Sequence, residues 1–419
     1  MLQTTTPPPA ALASREQPFP EFVGLIALMM ALTALSVDMM LPALGEIGHD
    51  LGLEAGNDRQ LIITFYLAGF AAGQPFFGPL SDRFGRKGPL YLGLALFAIG
   101  SVAATLAESA TAMFAARVLQ GFGAAAPRIL AIAIVRDRFA GRRMARVMSF
   151  VMMVFIAMPI LAPSIGQAVM LAAPWRAIFA VLLLACLIIL VWSWLRLAET
   201  HAAGYRLPLS PARLFEAIRA IITQRQTAGY AIAFGFIFGI LLSYVASAEQ
   251  IFVVVYGLGT SFPIVFGAIA SAMIVASLIN ARLVERIGMR RVSHVSLLAL
   301  ATACGIVAAF GFPEAPPLIA FGLFMATVFF CFGLIGPNFN AMAMEPVGHI
   351  AGTASSFIGF YTTASGAVFG YLIGQSFDGT LRPLSIGITA LVLCALVTVL
   401  ITERGRLARP QHAPPPEPK

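Results

Sequence analysis

Gly78-Pro79-Leu80-Ser81-Asp82-Arg83-Phe84-Gly85-Arg86-Lys87 sets Asp82, Arg83, Arg86 and Lys87 between two long apolar runs. A turn so short and so charged has no place in hydrocarbon and belongs at a membrane surface. The flanking composition agrees: 59% of the residues are hydrophobic, 11% are charged, and the mean hydropathy is +0.87. A soluble domain carries about a quarter of its residues as charges. At about 20 apolar residues per crossing, the chain divides into twelve spans, near 21–44, 59–80, 88–107, 110–135, 146–170, 175–197, 228–256, 262–283, 291–312, 316–338, 350–377 and 383–402.

An even number of spans puts both termini on one side, and the basic residues choose the side. Of the 27 Lys and Arg, only Arg59, Arg176 and Arg382 fall on the side away from the termini, while Arg117 and Arg128 lie inside the fourth span. Both termini are therefore expected in the cytoplasm, with the chain in the cell inner membrane. Glu46, Asp50, Glu54 and Asp58 gather in the first outer loop, the opposite bias. The net charge of +8 is spread over membrane-flanking loops and forms no groove for nucleic acid. The four cysteines sit in apolar spans and the five histidines are scattered, so no disulfide, metal or cofactor is expected.

The expected organisation is a disordered tail over 1–20, a six-helix bundle over 21–197, a linker over 198–227, a second six-helix bundle over 228–402, and a disordered tail over 403–419. The first tail is polar and proline-rich and has no clear cleavage site before Phe22, so the first span stays in the protein. In the linker, Ser210-Pro211 supplies a cap and a first-turn proline. Leu214, Phe215, Ile218, Ile221 and Ile222 follow at helical spacing, which predicts an amphipathic helix on the membrane surface. Asp82-Arg83-Phe84-Gly85-Arg86-Lys87 recurs in weaker form as Glu285-Arg286-Ile287-Gly288-Met289-Arg290, after the second span of each half. That echo predicts two related halves with a cavity between them.

In the charged turn, Gly78 and Gly85 permit close approach and a tight reversal. Asp82 can sit against a helix N-terminus. Arg83, Arg86 and Lys87 can reach acids such as Asp137 or lipid phosphates. A purely topological, positive turn is the alternative reading. In the first span, Asp38 is costly unless it is paired or faces a wet cavity. Arg117 in the fourth span lies at similar depth, and the two form either a structural ion pair or a proton or substrate site. Arg117 and Arg128 are separated by three turns plus about 20° and share a face with Gln120, so that face is expected to line the cavity. Glu249 is a second cavity acid or an interfacial cap. Tyr66, Gln74, Tyr244, Asn338 and Asn340 orient a substrate or join helices by hydrogen bonds.

Written as G-P-L-S-D-R-x-G-R-[RK], the charged turn resembles the loop between helices 2 and 3 of the major facilitator superfamily, a class of secondary transporters. The likeness sharpens in Asp58-Arg59-Gln60 through Gln74, in Asp38-Met39-Met40-Leu41-Pro42-Ala43-Leu44, in Arg117 to Ala126, and in Val135-Arg136-Asp137. These are similar to the Bcr/CflA-type branch of twelve-helix drug:proton antiporters, which includes phenicol and bicyclomycin exporters. The match is dense over 36–137 and weaker beyond, in Asn280-Ala281-Arg282, Gly336-Pro337-Asn338 and Glu345-Pro346. The resemblance implies an all-α membrane protein of two pseudo-symmetric six-helix bundles and no enzymatic activity. It also implies that Asp38 and Arg117 couple protons, and that the turn latches the inner face when the outer face is open. Leu161-Ala162-Pro163-Ser164-Ile165-Gly166-Gln167 is close to the antiporter signature of helix 5 but has Ala162 and Gln167 where glycines are usual. Pro163 and Gly166 keep its logic, a bent, thin helix packed against the other half. The function expected is efflux of small amphiphilic drugs by proton antiport, by a monomer in contact with lipid. Export or uptake of a physiological metabolite in the same fold is the alternative; a membrane sensor or intramembrane enzyme is disfavoured by the absence of a signalling domain or catalytic motif. One acid beside two arginines predicts neutral or weakly acidic substrates ahead of cations.

Overall fold

A computed structural model describes residues 17–53, 57–201, 204, 211–311 and 313–408. The expected Ser210 cap and most of both expected disordered tails lie outside the described residues. The described chain contains α1 Phe19–Asp38, α2 Leu44–Asp50, α3 Leu61–Phe84, α4 Lys87–Thr105, α5 Ala110–Arg138, α6 Gly141–Ala172 and α7 Arg176–Arg196. After the linker come α8 Pro211–Thr223, α9 Arg225–Glu249, α10 Phe262–Ile287, α11 Met289–Ala309, α12 Leu318–Met344, α13 Ala351–Gln375 and α14 Arg382–Thr402. Among the described residues, twelve helices are long and apolar enough to cross a membrane. Helices α2 and α8 are the short additions. Both ends of the described chain lie on one face, termed here the terminal face.

The helix pairings repeat. In the first half α1 packs on α5, α6 and α7, α5 on α3 and α4, and α4 on α7. In the second half α9 packs on α12, α13 and α14, α12 on α10 and α11, and α11 on α14. Each pairing in one half has its counterpart in the other, as a duplicated six-helix unit requires. The halves meet along two seams, α3 with α13 and α6 with α10, which are exchanged by the same symmetry.

Two departures from regular helix shape the interior. The expected continuous first span breaks at Asp38, and the chain continues through a 3-10 turn, Leu41–Ala43, into α2. Pro42 is the cause: its ring collides with the carbonyl four residues back, which is that of Asp38. At the far end of α9, Gln250–Val255 forms a π turn. The wider turn carries Glu249 and Gln250 together towards the first half, a side consecutive residues of a regular α-helix share less well.

Surface helix α8 exposes Phe215 and Ile222 and buries Ile221 with Val347 and Ala354. It therefore ties the linker to the terminal end of the second half. Gly85 and Gly288 end α3 and α10 with φ of 90° and 84°, a conformation that disfavours any side chain. The sequence echo is thus a backbone echo.

Candidate transport site and gates

Close packing of α3 on α5 builds the centre of the first half. A Cβ on Gly69 would fall 2.1 Å from the Val118 carbonyl oxygen, and one on Gly121 would fall 2.0 Å from that of Tyr66. Only bare backbone allows that approach, and it brings Tyr66 beneath Arg117, whose guanidinium lies 4.3 Å from the ring centroid. Arg117 is fully buried and donates to the Ile62 carbonyl at 3.2 Å, the Ser36 carbonyl at 3.0 Å, and Gln120 Oε1. Gln120 in turn donates to Ser101 Oγ at 2.8 Å. Arg117 therefore ties together α1, α3 and α5, with Gln120 extending the link to α4.

Asp38 is 4% exposed and has no ion-pair partner among the described residues. This corrects the expected pairing with Arg117: the depth was right, but the guanidinium donates to the carbonyl of Ser36, two residues short of the carboxylate. Next to Asp38, a Cβ on Gly166 of α6 would fall 1.9 Å from the Met39 carbonyl oxygen. Gly166 consequently packs against the break in α1, within its own half, and not against the other half as expected. In the same helix it is Ile160, ahead of Pro163, that meets Gly267 of α10 across the seam.

Arg128 lies apart from Arg117, 4.5 Å from the Phe155 centroid and with Nη1 3.8 Å from Met30 Sδ. Gln74 donates to Thr363 Oγ1 at 2.9 Å and so crosses the α3–α13 seam. Tyr66 donates to the Thr33 carbonyl at 3.4 Å. The remaining candidates do not converge on these groups. Asn338 donates to Asn280 Oδ1 at 2.8 Å, joining α12 to α10, and Asn340 is exposed. Tyr244 is fully buried among Phe252, Phe266 and Phe329, which makes it part of the second half's packed core.

On the terminal face the charged turn is a closed cluster in the first half. Arg86 is 3% exposed; its Nε donates to Asp137 Oδ2 and its Nη1 to Asp82 Oδ1, both at 2.7 Å. Burial works against the guanidinium charge, but Asp137 and Asp82 outweigh it and raise its pKa above the ordinary value. Asp82 sits at the C-terminal end of α3 and not against a helix N-terminus as expected. The free N–H groups of α4 are taken instead by Glu199, which accepts from Arg86 N at 2.8 Å and Lys87 N at 3.1 Å. The side chains of Arg83 and Lys87 meet no acid among the described residues; they lie over Phe84 and Tyr91. Gly78 faces the other half, where its Cβ would fall 2.5 Å from Ser356 Oγ of α13.

At the opposite face the halves are joined by a set of side chains that the sequence did not single out as a group. Arg59 Nη2 meets Glu249 Oε2 at 3.0 Å across the interface. Beside it, Gln60 donates to Gln250, Gln250 to Asn57, and Asn57 to the carbonyls of Gln375 and Phe377 at 2.9 and 3.0 Å. Gln375 returns a bond to the Asn57 carbonyl at 2.9 Å. Glu249 thus belongs to an interhalf lock. Asp58-Arg59-Gln60 was visible as a family string, but its partners lie some 190 residues away in sequence, and no local pattern links them.

Comparison with known proteins gives a consistent result. A family model described as Major Facilitator Superfamily matches residues 26–371. The chain is 33% identical to the uncharacterized MFS-type transporter YdgK of Bacillus subtilis (strain 168), over 84% of this chain and 87% of that one. It is 31% identical to a bicyclomycin resistance protein homolog of Haemophilus influenzae, over 93% and 98% of the two chains. Identity to the multidrug resistance protein MdtL of Escherichia coli is 29%, over 87% and 90%. Among solved structures, the human organic anion transporter MFSD10 (TETRAN) superposes with a TM-score of 0.63 at 17% identity, over 92% of this chain and 100% of that one; this shows the fold alone.

Proposed function

The chain belongs to the major facilitator superfamily and is a multi-pass membrane transporter, and from that premise we propose that it exports small amphiphilic drugs in exchange for protons. Relatives named for bicyclomycin and multidrug resistance support the substrate class. The observation that carries the coupling is the Asp38 carboxylate, buried at the break in α1 with no cation bound to it among the described residues. A carboxylate already neutralised by Arg117 would have little reason to exchange a proton. Arg117, spent on the Ser36 carbonyl, fixes the segment that carries Asp38.

The terminal face is assigned to the cytoplasm of the cell inner membrane, on the strength of its excess of Lys and Arg. The lock of Arg59, Glu249 and the four amides then closes the outward side. In the same arrangement Asp82 is bound within its own half, as a released inner latch would be. Protonation of Asp38 from outside, inward reorientation, and drug binding with loss of the proton complete an exchange cycle. With two guanidinium groups, Arg117 and Arg128, carried by α5 and neither paired with an acid among the described residues, the interior of the first half suits neutral or weakly acidic compounds such as phenicols and bicyclomycin-like molecules over quaternary cations.

The test is Asp38→Asn. In proteoliposomes it is expected to abolish proton-driven drug movement while drug binding persists, because binding does not require the charge and cycling does. Full drug resistance in an efflux-deficient host expressing Asp38→Asn, with protein level verified, would exclude Asp38 from coupling. In the same host, protection against ethidium or benzalkonium but not chloramphenicol or florfenicol would overturn the substrate reading.

A further inference from the structure

His294 lies in the first turns of α11, 1% exposed, at the terminal end of the second half. The backbone N–H of Ala408 donates to its Nδ1 at 3.0 Å. Nδ1 therefore carries no proton, and the single ring proton sits on Nε2, which faces Tyr230 Oη at 3.0 Å. The Tyr230 hydroxyl in turn donates to Glu403 Oε1 at 2.6 Å. These bonds run in one direction and fix the neutral imidazole with all its partners satisfied.

The segment held at Ala408 is the stretch that follows α14. Arg291, next but two along α11, donates from Nε to the Ala408 carbonyl at 3.2 Å, so both polar groups of that residue are gripped. Leu407 packs against the core. Arg404 has φ of 52° where the N–H of Gly405 closes the end of α14 on the Leu400 carbonyl at 2.8 Å, while Ala408 has φ of 60° without being glycine and beyond any helix, a conformation that costs energy unless surrounding contacts hold it. The other groups acting on the ring are Glu403, from beyond α14, and Arg290, from its own helix, with Tyr230 from α9. Arg290 Nε lies 3.3 Å from Glu403 Oε1.

We propose that His294 is a pH-operated catch for the C-terminal segment: neutral, it holds residues 404–408 against the terminal end of the second half, and protonated, it releases them. A second ring proton can go only to Nδ1, where it would point at the N–H of Ala408. Two donors then face each other in a buried space, the bond is lost, and left-handed Ala408 loses one of the contacts that hold it. Burial opposes the imidazolium, as does Arg290, while Glu403 favours it. The catch lies outside the proton path assigned to Asp38 and works whatever the substrate.

The experiment places a nitroxide at Arg406→Cys, an exposed position, in full-length protein whose exposed Cys394 is replaced by Ser, the other three cysteines being buried. Spin-label mobility is followed in nanodiscs from about pH 8 to about pH 4, a window that extends below the range in which an ordinary histidine titrates. The label is expected to be immobilised at high pH, with a mobile fraction that rises along a single-proton curve as pH falls. His294→Asn, whose amide oxygen takes the place of Nδ1 without titrating, is expected to keep the label immobile throughout. His294→Gln, whose amide reaches the Nε2 position and leaves Ala408 without an acceptor, is expected to leave it mobile throughout. Mobility that does not change with pH in the protein with native His294, or an unchanged pH response in His294→Asn, would overturn the proposal. The titration of native His294 decides by itself if neither variant folds.

Discussion

The two turns over 82–87 and 285–290 share a backbone and differ in charge, and the difference shows what duplication preserves. Gly85 and Gly288 hold nearly the same left-handed φ, because that corner must reverse the chain within a few residues at the membrane surface. Arg86, however, is matched by Met289, and Lys87 by Arg290. In the first half the buried guanidinium of Arg86 draws in Asp82 and Asp137. In the second half the cation stands one residue later and reaches Glu403. Glu199 and Glu403, each just past the sixth membrane helix of its half, fill the same place. Glu199 takes backbone N–H groups and Glu403 takes side chains. Geometry is kept where sterics forbid substitution, while ion pairs migrate.

Exchanging the unlike positions is the sharpest way to test this contrast. Arg86→Met, which gives the first turn the second turn's residue, leaves two carboxylates without their cation and is expected to destabilise by about 3 kcal/mol or more. The reciprocal Met289→Arg has Glu285 four residues away and should change stability by no more than about 1 kcal/mol. Thermal unfolding in detergent reads both. Equal losses would show that the two turns depend on charge alike.

Gly78→Val probes the side of the turn that faces the other half, where Ser356 already stands at Cβ distance. Expression should hold, while transport in liposomes slows by about tenfold, equivalent to about 1.4 kcal/mol. An unchanged rate would mean that the α3–α13 seam does not need that approach.

The opposite face supplies the contrast between an intrahalf cluster and an interhalf lock. Glu249→Gln removes one charge of a largely buried pair but keeps a hydrogen-bonding group, so a shift of about 1 kcal/mol in the equilibrium between states is expected. Labelling of a cysteine at Gly45, which lies against Glu249, should rise in Glu249→Gln and not in Arg86→Met. Equal rises would erase the distinction between the two clusters.

The smallest effect is expected at Glu199. Burial works against its charge, but the backbone N–H groups of Arg86, His201 and Lys87 outweigh it and hold the carboxyl below its usual range. A lowered folded-state pKa contributes stability that is complete above the unfolded value, about 4.5, and fades as pH falls through the folded value. The melting temperature of Glu199→Gln should therefore show only a slight deficit above about pH 4.5, because the group is exposed, and converge on that of the parent as pH falls through the lowered folded value.

By itself the sequence determined the number of crossings, the shared side of the termini, the duplicated turn and the superfamily. Each is set by local chemistry: apolar length against bilayer thickness, basic residues beside the spans, and a glycine where φ must be positive. Asp38 stood out for the same reason, as a charge in an apolar run. Only the tertiary structure decided that Arg117 serves the Ser36 carbonyl and not the Asp38 carboxylate, that Gly166 packs on α1, and that Tyr244 belongs to a packed core. It also decided that Arg59 and Glu249, with Asn57, Gln60, Gln250 and Gln375, lock the two halves together. Those outcomes depend on helix rotation and on contacts between distant segments. A π turn or a proline break shifts them by a fraction of a turn, and periodicity read along one helix does not specify what the next helix presents.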